Sequence, residues 1–169
     1  LRGSGMLGKG QWRAQQQLNH GRSENLFDER TDYVRWPGQG SWTGPGPLGG
    51  MFRASATWQY TRDERTPSSA LFNVGGVGSV RGYDSGARSA QRGVAASGEL
   101  HWKTRWVPDV FVFADVGYVD AIDAENERIR SIGAGGRWGY GAWQVDVTVA
   151  HALDADNVDE DDYRAHLRA

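Results

Sequence analysis

The chain has 169 residues, a formal net charge of −2, 38% hydrophobic residues and a mean hydropathy of −0.63. Near-neutral charge excludes the basic footprint of a nucleic-acid binder, and the absence of cysteine excludes disulfide frameworks and thiolate metal centres. No window approaches the roughly 18 apolar residues of a membrane helix and no long segment keeps a helical period, so a chain with 24 glycines and 8 tryptophans reads as all-β.

In chain order, the first residues, Leu1 to Met6, lack the apolar core of a signal peptide. For an exported protein the expectation is a start well inside its gene product. A weak strand candidate follows, with Trp12, Ala14, Gln16 and Leu18 on one face. The Gly- and Pro-rich stretch Gly21–Gly50 reads as a long connection. From Met51 the alternation is strict: Phe52, Ala54, Ala56, Trp58 and Tyr60 oppose Arg53, Ser55, Thr57 and Gln59. A long polar segment, about 61–93, leads to a second alternating run. There Val94, Ala96, Gly98, Leu100 and Trp102 oppose Ala95, Ser97, Glu99, His101 and Lys103. Residues 110–119 are apolar on both faces except at Asp115, and a Gly-rich strand spans 128–140 with Ile132, Ala134, Trp138 and Tyr140 on one side. Trp143, Val145, Val147 and Val149 alternate with Gln144, Asp146 and Thr148. The run closes on Tyr163, Ala165 and Leu167 against Arg164, His166 and Arg168. That makes about seven strands.

Alternation alone also suits a soluble β-sandwich binding module. The connections favour a membrane barrel. Short links around Lys103–Asp109 and Gly139–Ala142 alternate with longer polar ones at Thr61–Gly93, Asp120–Glu127 and Asp154–Asp161. Short turns at one end and long loops at the other mark an outer-membrane barrel. With strands running up and down, Trp102, Trp138, Tyr140 and Trp143 fall at the short-turn end, while Trp58, Tyr60 and Tyr118 fall at the long-loop end. Two aromatic girdles are what a bilayer selects, because amphipathic rings favour the headgroup level. Gly21–Gly50 is the misfit, a long connection at the short-turn end.

Two stretches carry the chemistry. Val80-Arg81-Gly82-Tyr83 lies in the long Gly/Ser-rich segment, and Phe113-Ala114-Asp115-Val116-Gly117 sets one carboxylate in an apolar strand. A half-buried carboxylate needs a partner. Together with Phe72-Asn73-Val74-Gly75-Gly76, Arg92-Gly93 and Ser97-Gly98-Glu99-Leu100, these residues resemble the outer-membrane transporters of two-partner secretion, the haemolysin secretion/activation proteins. In that superfamily a [V/I]RG[F/Y] motif lies at the tip of a long extracellular loop folded into the lumen. An F-x-D-x-G motif lies on the inner wall of the next-but-one strand after it.

The resemblance covers Met51 to the C-terminus. It implies an ion pair between Arg81 and Asp115, with Val80, Gly82, Tyr83, Phe113 and Gly117 supporting it. Parity agrees: Phe111, Phe113, Asp115 and Gly117 share one face, and Val110, Val112, Ala114 and Val116 point to lipid. The chain departs from the family pattern at Gln91, where an acidic residue is usual, and at its end, Leu167-Arg168-Ala169, where an aromatic is usual. The expected architecture is therefore all-β: residues 1–169 form the C-terminal part of one transmembrane antiparallel β-barrel domain of about 16 strands. Its long loop, about 61–93, folds into the lumen.

Other sites weigh less. The acidic run Asp154, Asp156, Asn157, Asp159, Glu160, Asp161 and Asp162 lacks EF-hand spacing and reads as a solvated loop. His20, His101, His151 and His166 share no ligand spacing, so no metal, cofactor or enzymatic centre is expected. Gly75-Gly76-Val77-Gly78 lacks the Gly-Lys-Ser/Thr of a phosphate loop. Arg53, Glu99, Arg137 and Asp146, with Gln144, read as a polar pore wall. In a partly wet lumen an Arg81–Asp115 pair is worth about 1 kcal/mol or less net. The resemblance implies an outer-membrane protein of a Gram-negative bacterium whose partners are a secreted exoprotein, outer-membrane lipid and the barrel-assembly machinery. A barrel-assembly factor of the same superfamily is the alternative within that class.

Overall fold

The computed structural model describes residues 1–24, 30–63, 66–103, 109–122, 125–140, 143–154 and 163–168. Its strands are β1 (Arg2–Leu7), β2 (Gly10–Gln16), β3 (Asn19–Glu24), β4 (Arg30–Pro45), β5 (Met51–Thr61), β6 (Phe72–Val74), β7 (Arg88–Ala90), β8 (Arg92–Trp102), β9 (Asp109–Asp120), β10 (Glu127–Tyr140), β11 (Trp143–Ala152) and β12 (Tyr163–Arg168). Among the described residues the only helical pieces are 3-10 turns at Pro47–Gly49 and Ser68–Ala70. Ten strands form one antiparallel sheet in the order β1-β2-β4-β5-β8-β9-β10-β11-β12, with β3 also on β4. β6 and β7 pair with each other as a separate ribbon inside the segment joining β5 to β8.

All seven expected strands are present, and the Gly- and Pro-rich stretch is corrected. Gly21–Gly50 is not a connection: most of it is β4, paired with β5 along its length from Arg35↔Thr61 to Pro45↔Met51. The reason is that its glycines are roofed by neighbouring indoles. The Trp58 ring lies over Gly38, and the Trp42 ring covers Gly10 and Gly44, leaving no room for a Cβ at any of the three. Flat rings over strand glycines supply the apolar cover that the strand itself lacks. On the other edge, β2 and β3 follow one register along β4, with Gln16↔Gly38 and Asn19↔Arg35. They break opposite Trp36-Pro37, where proline has no N–H to give; the Pro37 carbonyl still accepts from the Gln17 N–H at 3.0 Å. With β2 and β3 counted as one interrupted strand, the ten strands make nine spans. The turn at 46–50 then joins the short-turn end with Gly8-Lys9, and the misfit disappears.

The two faces of this sheet differ in kind. On β9, Val112, Ala114, Val116 and Tyr118 are exposed, while Phe111, Phe113, Asp115, Gly117 and Val119 are buried. The same outer face continues through Ala54, Ala56, Trp58, Val94, Ala96, Leu100, Ile132, Ala134, Val147 and Val149, and on β10 it carries Arg130 and Arg128, opposite Val116 and Tyr118, toward the long-loop rim. Trp36, Tyr60 and Tyr118 mark the long-loop rim and Trp102 and Trp138 the other. The side chains of Tyr140 and Trp143 lie outside the described residues.

The inner face is covered over β8–β11 by the β5–β8 segment. Val74, Val80, Tyr83 and Ala90 from that segment pack with Ala95, Val119, Ile129 and Ala152. Burial of this apolar surface drives the seating. The inner face of β1–β4, and of β5 as far as Thr57, is uncovered and polar: Arg2, Ser4, Arg13, Gln15, Gln39, Ser41, Ser55 and Thr57 line one hollow, and Arg53 shares their parity.

Candidate functional site

The site lies where the tip of the covering segment meets β8, β9 and β10. The tip is shaped by its own bonds. The Gly75 N–H donates to Ser79 Oγ at 2.8 Å, Ser79 Oγ donates back to the Gly75 carbonyl at 3.0 Å, and the Gly76 N–H donates to the Tyr83 carbonyl at 3.1 Å. Gly82 adopts φ +96°, a region closed to most residues, and passes over Ala150 and Ala152. Gly117 makes the seat possible on the wall side: a Cβ there would stand 2.9 Å from Val80 Cγ2 and 3.1 Å from Val74 Cβ.

Arg81 is 8% exposed and Asp115 3% exposed. The guanidinium grips the carboxylate with both oxygens engaged, Nε donating to Oδ2 at 2.8 Å and Nη2 to Oδ1 at 2.8 Å. The main-chain N–H of Arg81 also donates to Oδ2, at 3.0 Å. Nη2 reaches Ser97 Oγ at 2.9 Å and Nη1 reaches Glu99 Oε1 at 2.6 Å. Arg81 Cζ lies 3.5 Å from the centroid of the Phe113 ring, a guanidinium stacked on an aromatic face. The expectation of a partly wet pair does not hold for this geometry. The Asp115 side chain is wholly buried, so the energetic rule is that of a desolvated pair: removing one partner costs about 3–5 kcal/mol, even though the intact pair adds little net stability.

The other wall residues fall into an ordered series. From Asp115 and Arg81 it runs to Glu99, whose Oε2 lies 2.9 Å from His101 Nε2. His101 Nδ1 lies 3.0 Å from Asp109 Oδ1, and Asp109 Oδ2 lies 3.8 Å from Arg137 Nη1. Arg137 Nε donates to Asp146 Oδ1 at 2.8 Å. Glu99, Arg137 and Asp146 thus belong with the Arg81–Asp115 pair. Arg53 does not join them by a bond among the described residues; it stands opposite Glu99 in the β5–β8 register. Asp109 is the member that sequence reasoning missed, and His101 was noted there without a role. Its signal was the shared parity of Glu99 and His101 on β8.

Tyr83 and Asp84 fix the far side of the tip. The Tyr83 hydroxyl donates to the Arg130 carbonyl at 3.1 Å and accepts from the Asp154 N–H at 3.1 Å. Asp84 is ion-paired with Arg164 on β12, Nη2 to Oδ2 at 2.9 Å. Gln91, at the position of the departure from the family pattern, accepts the Ile122 N–H on Oε1 at 3.4 Å. Of the acidic run, Asp154 is described and bonds Arg130 Nε at 2.9 Å; residues 155–162 lie outside the described residues.

An antiparallel sheet with a largely apolar outer face between aromatic rims, and a polar inner face carrying a folded-back segment, is the wall of a β-barrel. The family model of the haemolysin secretion/activation protein ShlB/FhaC/HecB matches residues 1–139, and the chain belongs to that family of outer-membrane two-partner secretion transporters. Among curated proteins, no sequence matches the chain.

Proposed function

We propose that this chain forms part of the wall of a pore through which a partner exoprotein, a haemolysin or adhesin, crosses the outer membrane of a Gram-negative bacterium. In this reading Arg81 and Asp115 are a positional latch that keeps the β5–β8 segment inside the lumen. Val80, Gly82, Tyr83, Phe113 and Gly117 shape the seat, and Arg53, Glu99, Arg137 and Asp146 form the polar wall. The outer face meets lipid and the barrel-assembly machinery inserts it. Transport is non-enzymatic and uses no cofactor. One observation carries the reading: a guanidinium and its own main-chain N–H both end on one buried carboxylate, across 34 residues of sequence. A contact so specific at the tip of so long a segment serves position more than stability.

Arg81→Ala is expected to leave membrane insertion intact and to abolish most secretion, read as exoprotein in the medium against barrel in the outer membrane. Undiminished secretion by this variant would overturn the latch. The swap Arg81→Asp with Asp115→Arg is expected to recover only part of the loss, because the new carboxylate faces Glu99. Adding Glu99→Gln is expected to raise that recovery.

A further inference from the structure

His101 is buried with both ring nitrogens committed. It is 3% exposed and its ring stacks on Phe111 with centroids 5.0 Å apart. Nε2 lies 2.9 Å from one carboxylate, Glu99, and Nδ1 lies 3.0 Å from another, Asp109. A neutral imidazole has a single N–H, and an ionised carboxylate has only lone pairs to offer. Both contacts hold at once only when each nitrogen carries a proton. The order of charges agrees. Asp115, Arg81, Glu99, His101, Asp109, Arg137 and Asp146 alternate in sign along the wall only with an imidazolium in the middle.

Among the described residues no other cation stands at that point. Arg81 from the covering segment, Arg137 from β10 and Asp146 from β11 are each engaged within the series. Arg53 on β5 and Lys103 beyond β8 share the inner parity, and among the described residues neither bonds Glu99 or Asp109.

We propose that His101, as an imidazolium between Glu99 and Asp109, is a positioning residue for the latch: it fixes Glu99 Oε2 so that Oε1 meets Arg81 Nη1. This rests on the latch reading above. A ring with no donor at Nε2 leaves Glu99 Oε2 without its hydrogen bond. Glu99 then turns away and takes its other oxygen from Arg81. The hold on the segment weakens without any change to Asp115.

The chain has no cysteine, so Ala95→Cys, buried beneath the covering segment, gives a single reporter thiol in it. The membrane-inserted protein is labelled with a hydrophilic maleimide, each rate being divided by that of the denatured protein at the same pH. His101→Phe keeps a stacking ring without donors, and His101→Arg keeps a permanent cation. In the Ala95→Cys background the Phe variant is expected to label about tenfold faster, the effect of losing charge-assisted hydrogen bonds. The Arg variant is expected to label like its parent. Equal rates for the Phe and Arg variants would overturn the role of His101. Arg81→Ala in the same background separates the two readings. Faster labelling there with an unaffected Phe variant removes only the role of His101, whereas unchanged labelling there removes the latch itself.

Discussion

Arg81 engages Asp115, Ser97 and Glu99 while lying flat on Phe113. That geometry belongs to a planar fork and not to a point charge. Arg81→Lys is therefore expected to insert normally yet expose the β5–β8 segment about tenfold more often, measured by protease nicking of that segment in membranes. Gly117→Ala tests the seat from the wall side. Its methyl meets Val80 and Val74, and such overpacking costs about 1–3 kcal/mol. Reduced hydrogen-exchange protection of the tip amides, with β9 unaffected, is the expected result. Asp115 and Glu99 were legible in the sequence because parity places them on one wall, and Arg81 because its motif resembles the family's loop tip. Asp109 was not, since it stands at the start of β9, where the residues read as turn. Its contact with His101 depends on a register across strands that spacing alone does not reveal.

At the scale of elements, β9 and β4 are opposites. β9 shows its alternation in its own side chains, so its faces could be read directly. β4 has Gly38, Gly40 and Gly44 at outer positions, and its apolar cover comes from Trp58 on the next strand and from Trp42 turned over Gly10 and Gly44. A strand whose hydrophobic face is lent by neighbours leaves no periodic trace, which is why it looked like a connection. The outer face gives a test of its surroundings. Ala114 is exposed at the middle of β9. Ala114→Lys is expected to destabilise the protein in lipid vesicles by about 2–4 kcal/mol, read by urea unfolding. Were this face in water, the same change would stay within about 0.5 kcal/mol.

Across the whole molecule, the covering segment is tied on both sides of its tip, to β8 and β9 through Arg81 and to β10 and β12 through Tyr83 and Asp84. The Arg164 guanidinium holds the Asp84 carboxyl below its ordinary value, and Arg130 does the same for Asp154, whose N–H meets Tyr83. Groups with depressed values stabilise the folded state above the ordinary carboxylate range and lose that contribution as pH falls through their lowered values. Protection of the β6–β7 ribbon against hydrogen exchange is therefore expected to drop below about pH 4. Asp84→Asn with Asp154→Asn is expected to shrink that acid step. The tie also divides the inner face in two. The inward carboxylates Glu99, Asp109, Asp115, Glu127 and Asp146 stand on β8, β9, β10 and β11, each matched to a cation. The uncovered half, β1 to β5, presents Arg2, Arg13 and Arg53 among hydroxyls and amides, with no carboxylate among its described inward residues. Field lines entering that half end on arginine alone, so the open side of the wall carries a positive potential that draws small anions toward it and turns small cations away.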